Sequence, residues 1–167
     1  MSGRSAGQVR RDGATGVEES ADAALVASRA LVGIAARSLT AVEDTVTLVQ
    51  YRALVLLASR GALNVGGLAE SLEIHPSTAT RLCDRLAEKD LIDRTTSAES
   101  RREVTIGLTS AGQALVRSVT QRRRREILKI VRRLDPTTRA HLVEAFAAFG
   151  EEAGELPDSA WKLGWTA

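Results

Sequence analysis

Apolar residues recur at helical spacing over most of this chain and switch to clear alternation near residue 104. From Glu18 to Leu39 the helical pattern is broad. Leu25, Val32 and Leu39 form one stripe, and Leu31, Ile34 and Ala35 form a neighbouring one. A surface that wide predicts burial on more than one side. Thr47 suits the N-cap of a second helix running from Leu48 to Ala58 and stopping at Gly61. A short helix over Asn64–Leu72 follows, then a tight turn and another helix opening at His75-Pro76. Leu91–Thr96 and Glu103–Thr109 read as two strands of a hairpin, and Val104, Ile106 and Leu108 share one face of the second. Helix-forming sequence resumes at Ser110 and continues to Leu134. Asp135-Pro136 then pairs a cap with a first-turn proline, opening a last helix that ends near Gly150. Residues 1–17 are rich in Gly, Ser, Arg and Ala without apolar periodicity and are expected to form a disordered arm. The tail over 151–167, with Pro157, Trp161 and Trp165, carries no clear pattern.

Helix, tight turn, helix and hairpin, in that order, predict a mainly α protein with a small β-hairpin wing. This is a winged helix-turn-helix, a module that places one helix in the DNA major groove and can bring a hairpin near the minor groove. Projected at about 100° per residue, the second of the two helices separates into faces. Ala79, Leu82, Cys83 and Leu86 point one way and are expected to be buried. Ser77, Thr78, Thr80, Arg81 and Arg85 point the other way. Small hydroxyl residues permit close approach to base edges and phosphates, while arginines reach guanine or the backbone. Asp84 and Glu88 fall on the same exposed face, where they can pair with Arg81 and Arg85 at i, i+3 spacing.

Composition narrows this reading little, but the distribution of charge adds to it. The chain of 167 residues carries a net charge of +2 and suits one or two small domains. Between Gln121 and Arg133, seven basic side chains stand against Glu126 alone. From Ala140 onward, Lys162 stands against Glu144, Glu151, Glu152, Glu155 and Asp158. Such asymmetry fits a polyanion or a complementary protein surface, and equally a solvated helix face. The single cysteine, Cys83, excludes an intrachain disulfide. No stretch is apolar enough to span a bilayer, and no apolar segment follows the N-terminal arginines as in a signal peptide, so a cytoplasmic location is expected.

The text that runs Thr47-Leu-Val-Gln-Tyr-Arg-Ala-Leu-Val-Leu-Leu57, Leu68-Ala-Glu-Ser-Leu72, Ser77 through Arg94, Arg101-Arg102-Glu-Val-Thr-Ile-Gly-Leu-Thr109 and Ala111-Gly112 resembles the MarR family of transcription regulators. The similarity follows element order from Glu18 to Gly150 and is dense between Thr47 and Gly112. It implies a homodimer in which residues 18–46 and 110–150 form a helical dimerisation lobe and residues 47–109 the winged DNA-binding domain. It also implies that Pro76, Ser77, Thr80 and Arg81 approach bases or phosphates of a pseudo-palindromic site. The resemblance implies further that a wing arginine enters the minor groove, with Arg102 the choice and Arg101 supporting it on phosphate. Three positions depart from the family pattern. Ser100 stands where Asp is usual before the double arginine, Glu73 stands where the turn often has Gly, and Gly66-Gly67 replace better helix formers.

The resemblance further implies response to a small phenolic or anionic effector held between the two lobes, or to oxidation of a cysteine. Cys83 is the only thiol, and its place on the apolar side of its helix reads first as a buried structural residue. Arg123 interrupts the apolar stripe Leu115, Val119, Ile127, Ile130, Leu134. It either lays its stem on apolar surface and reaches out, or faces an internal cleft and an anionic partner. His75 and His141 lack nearby cysteines, so no zinc site is expected, and no cofactor or catalytic motif is apparent. The reading is a non-enzymatic DNA-binding regulator, with repression the default because a dimer covering a promoter blocks polymerase without further contacts. The alternatives are a winged-helix module that binds protein and a cysteine-based redox-sensing repressor.

Overall fold

The structure, a computed structural model, describes residues 5–42, 45–96, 104–157 and 161, with 5–15, 41 and 96 described as backbone only. Helix α1 (Ser5–Leu39) leads through a 3₁₀ turn (Thr40–Val42) to α2 (Leu48–Arg60). Strand β1 (Leu63–Asn64), helix α3 (Val65–Ser71) and helix α4 (Pro76–Glu88) follow. Strands β2 (Ile92–Thr96) and β3 (Val104–Leu108) then precede the long α5 (Ser110–Val131) and α6 (Pro136–Glu152). The three strands form one antiparallel sheet in the order β1-β3-β2, with Leu63 opposite Ile106 and Arg94 opposite Ile106 on the other side.

Local chemistry explains most of the boundaries. Thr47 and Gln50 form a reciprocal capping box: the Gln50 N–H donates to Thr47 Oγ1 at 3.3 Å and the Thr47 N–H to Gln50 Oε1 at 3.0 Å. Asn64 caps α3 through Gly67, and Asp135 caps α6 through Thr137 and Thr138. Helices α3 and α4 both end in a left-handed residue that is not glycine, Glu73 at φ 54° and Asp90 at φ 55°. In each case the next residue, Ile74 or Leu91, donates back to the carbonyl of Ala69 or Leu86, which closes the turn. The unusual turn expected at Glu73 is present, and Asp90 repeats it.

The core lies around α2, whose Tyr51, Ala53, Leu54, Leu56, Leu57 and Ala58 are all buried. Leu68, Leu86, Ile106, Val116 and Val119 close over it from α3, α4, β3 and α5. Each large side chain buried here contributes roughly 1.5–3 kcal/mol relative to exposure. The expected face of β3 is only partly core: Ile106 is fully buried, Leu108 half-buried and Val104 exposed, because Val104 lies beyond the edge of the packed helices.

Three expectations change. Helix α1 is described from Ser5, so it overlaps the stretch 1–17 expected as an arm, of which residues 1–4 lie outside the described residues. Once the strong segment from Glu18 is helical, each preceding residue adds a backbone hydrogen bond without a new nucleation cost. Helix α5 stops at Val131, and Arg132–Leu134 form the turn into α6. The broad apolar surface of α1 is covered only toward its end, at Ile34 and Leu39, while Leu25, Val26 and Val32 remain exposed in the single chain. None of the described helices is long and apolar enough to cross a membrane.

One joint holds the winged region to α5. The Thr109 hydroxyl donates to the Asp90 carbonyl at 2.6 Å, and the Thr109 N–H to the Leu91 carbonyl at 3.3 Å. The same Thr109 side chain caps α5 by accepting from the Gly112 N–H at 3.0 Å. A Cβ on Gly112 would stand 2.1 Å from the Leu91 oxygen, so the helix approaches this turn as closely as only glycine permits. Gly112→Ala is therefore expected to destabilise the fold by about 2 kcal/mol or more, read as a lower urea midpoint with an unchanged slope.

Candidate nucleic-acid interface

Helix α4 is held from behind and open in front. Ala79, Cys83 and Leu86 are fully buried and Leu82 nearly so, while Pro76, Ser77, Thr78, Thr80, Arg81 and Arg85 are exposed. The two faces expected from the projection are thus the two faces observed. His75, in extended backbone, caps the helix: its Nδ1 accepts from the Ser77 N–H at 3.3 Å and lies 2.9 Å from the Ser77 hydroxyl. Pro76 at the first helical position has no N–H to leave unsatisfied. Thr80 Oγ1 donates to the Pro76 carbonyl at 3.0 Å, and Arg81 Nε to the Ser77 carbonyl at 3.4 Å. The Arg81 guanidinium therefore lies back toward the first turn, beside Ser77 and Thr78. Small hydroxyls, a guanidinium and the positive end of a helix dipole meet at one exposed point, which is suited to phosphates and base edges.

The acids on this helix behave differently from the expected i, i+3 pairing. Asp84 reaches across to β2 and pairs with Arg94, leaving Arg81 turned toward Ser77. Cross-strand placement brings Arg94 over the middle of α4, a proximity invisible in a helical projection. At 42% and 46% side-chain exposure this pair contributes about 0–1 kcal/mol. Its geometric effect is larger, since it neutralises an acid on the open face and ties the hairpin to α4. Lys89 Nζ donates to the Thr45 carbonyl at 2.5 Å, fixing the other end of α4 to the segment before α2. Arg101 and Arg102, with Glu99 and Ser100, lie outside the described residues. The strands leading to them are paired as far as Thr96 opposite Val104.

Arg123 projects from α5 toward α2, where its guanidinium carbon stands 5.8 Å from the centre of the Tyr51 ring. Its Nε is buried and has no hydrogen-bond partner among the described residues. Tyr51 Oη lies 3.4 Å from Thr120 Oγ1, and burial pushes the Tyr51 phenol up, opposed by Thr120 and by the charge of Arg123. Arg123 is half-buried, with its guanidinium over the Tyr51 ring and no ion pair among the described residues. Tyr51 was not singled out because its position on α2 reads simply as core. Cys83 is fully buried, and desolvation pushes its thiol above the ordinary value, opposed by Arg94 and reinforced by Asp84. The protonated thiol is the less reactive form. Modification of Cys83 by a disulfide reagent at neutral pH is expected to be at least about tenfold slower in the folded chain than in denaturant.

Comparison with known proteins agrees with this geometry. The sequence model of the MarR family matches residues 46–104, which span α2 through the first residue of β3. An HTH-type transcriptional repressor of Bacillus subtilis, MdtR, is 39% identical over 70 residues, or 42% of this chain and 45% of that protein. The chain spans about half the length of the first curated relatives it matches. The crystal structure of Rv1404 from Mycobacterium tuberculosis is 43% identical, with a TM-score of 0.77 over 84% of this chain and 96% of that one. The MepR–DNA complex of S. aureus, at 23% identity, shares the fold with a TM-score of 0.55 over 74% of this chain and 95% of that one. With the family model matching residues 46–104 and Rv1404 43% identical over nearly all of its own chain, the chain belongs to the MarR family.

Proposed function

We propose that the protein is a homodimeric, sequence-specific DNA-binding transcription repressor whose grip on its operator changes with a small effector. The observation that carries this reading is the open N-terminal turn of α4, with Ser77, Thr78, Thr80, Arg81 and Arg85 exposed on a helix whose other face is sealed in the core. Pro76, Ser77 and Thr78 meet phosphate and base edges at the helix start, and Arg81 and Arg85 reach guanine or backbone. Arg101 and Arg102 are assigned to the wing, Arg102 in the minor groove and Arg101 on phosphate.

Dimerisation is supported by what the single chain leaves uncovered. Leu25, Val26 and Val32 on α1 and Val143, Phe146 and Phe149 on α6 are all exposed. An apolar cleft of about 470 Å³ between these helices is lined by Ala23, Ala27, Leu31, Phe146 and Phe149. Apolar surface on this scale is unusual for a monomer, and a second copy would cover it. Two reading helices then need a separation of about 34–36 Å, or a multiple, to enter successive major-groove faces. Repression follows from occupying a promoter, and is what the name of the Bacillus relative states for that protein. The buried, unpartnered Nε of Arg123 beside Tyr51 supports a phenolic or anionic effector at the junction of α2 and α5. An effector that favours another separation of the reading helices lowers affinity by population shift.

Gel-shift or footprinting on DNA upstream of the chain's own gene tests the reading. Retention should fall steeply with salt, in proportion to the phosphates neutralised, whereas a protein-binding module would show no such dependence. Arg81→Ala is expected to lose about 1–3 kcal/mol of discrimination between operator and unrelated DNA, while Arg102→Ala weakens both together. In sedimentation the chain should run as a dimer, and Phe146→Asp should shift it toward monomer. A monomeric parent chain would overturn the dimer.

A further inference from the structure

Arg37, in the last turn of α1, and Arg122, Arg125 and Lys129 of α5 line a cleft of about 450 Å³ with Ser38 and Glu126. The four α5 positions are spaced i, i+3, i+4 and i+7, which gathers them on one helical face. Arg123 points about 100° away from that face, toward Tyr51, so the cleft is separate from the α2–α5 junction.

Charge in the cleft is badly out of balance. Glu126 is its only acid, and Lys129 Nζ donates to Glu126 Oε1 at 2.5 Å. That hydrogen bond chiefly holds the Glu126 carboxyl below its ordinary value, and the fields of Lys129, Arg37 and Arg125 add to it. Arg37, Arg122 and Arg125 have no ion pair of their own among the described residues. The Ser38 hydroxyl is spent on the Ala35 carbonyl at 2.8 Å, so recognition here falls to the cations. Three guanidinium groups held around one hollow repel one another until an anion joins them, and their planar forks match phosphate oxygens in pairs. The hollow is open to solvent, and its arginines and Lys129 are exposed, so an anion can enter without displacing any packed side chain. Along α5 the cleft lies about 15–25 Å from the joint at Gly112, which favours a free ligand over the backbone of DNA held by α4.

We propose that this α1–α5 cleft binds a small, multiply charged anion of the pyrophosphate class, as carried by nucleotides and other phosphorylated metabolites. Arg37 and Arg125 grip it from the two helices, Arg122 and Lys129 complete the cradle, and Glu126 positions Lys129. A bound anion bridges α1 to α5. The site does not depend on the chain binding DNA.

Calorimetric titration of the full chain with sodium pyrophosphate, in a phosphate-free buffer of moderate salt, tests this. Saturable binding of one pyrophosphate per chain is expected, with Arg37→Ala and Arg125→Ala each weakening it roughly tenfold or more. Arg124→Ala removes the same charge from the same arginine run but points away from the cleft, and should leave the affinity unchanged. Should Arg37→Ala fail to fold, Arg122→Ala carries the same expectation from α5 alone. Absence of saturable binding overturns the proposal, as does equal weakening by Arg124→Ala, which would mark general attraction to a basic surface. Loss of DNA retention in Arg37→Ala and Arg125→Ala without any pyrophosphate binding would reassign the cleft to the nucleic-acid backbone and likewise overturn it.

Discussion

The contact on which the rest depends is the meeting of Thr109 and Gly112 with the turn at Asp90–Leu91. One threonine caps the long helix and holds the turn that ends α4. Gly112 lets the two backbones approach until the Leu91 oxygen fills the space a Cβ would need. The end of the reading helix, the start of the hairpin and the start of α5 are therefore one rigid piece. The joint sets the start of α5 directly against the turn that ends α4.

Electrostatics is divided along the same line. On the winged side one opposite-charge pair lies within the module, Asp84 with Arg94, while Lys89 donates to the Thr45 carbonyl and Arg52 reaches Glu155 beyond the end of α6. These exposed pairs add little stability and mainly set geometry. At the start of α4 a short arc of hydroxyls and arginines stays open. On α5, by contrast, neighbouring arginines do unlike things because successive residues turn by about 100°. Arg123 is drawn inward over Tyr51, whereas Arg122 and Arg125 face the cleft with Arg37. A run that reads as one basic patch is two environments.

The uncovered residues of α1 and α6 complete this division. Phe146 and Phe149 lie exposed near an apolar stretch of α1, so the outer helices lack the closure that the winged core has. Stability in the single chain is concentrated around α2, where Leu54, Leu68, Leu86 and Ile106 meet.

Local rules made much of this legible from the residues alone. Caps at Thr47, His75 and Asp135, the proline after two of them, and the apolar spacing of Ala79, Leu82, Cys83 and Leu86 act within one or two turns of chain. The helices and the open face of α4 could therefore be read directly, and Glu73 could be marked as an unusual turn. Strand β1 escaped notice because two residues carry no periodicity and pair only once β3 lies beside them. The Asp84–Arg94 pair, the seat of Arg123 on Tyr51 and the Arg37–Arg125 cleft were equally hidden. Each joins side chains whose separation is decided by how elements pack, and sequence spacing encodes a helical face but not the neighbour that face will meet.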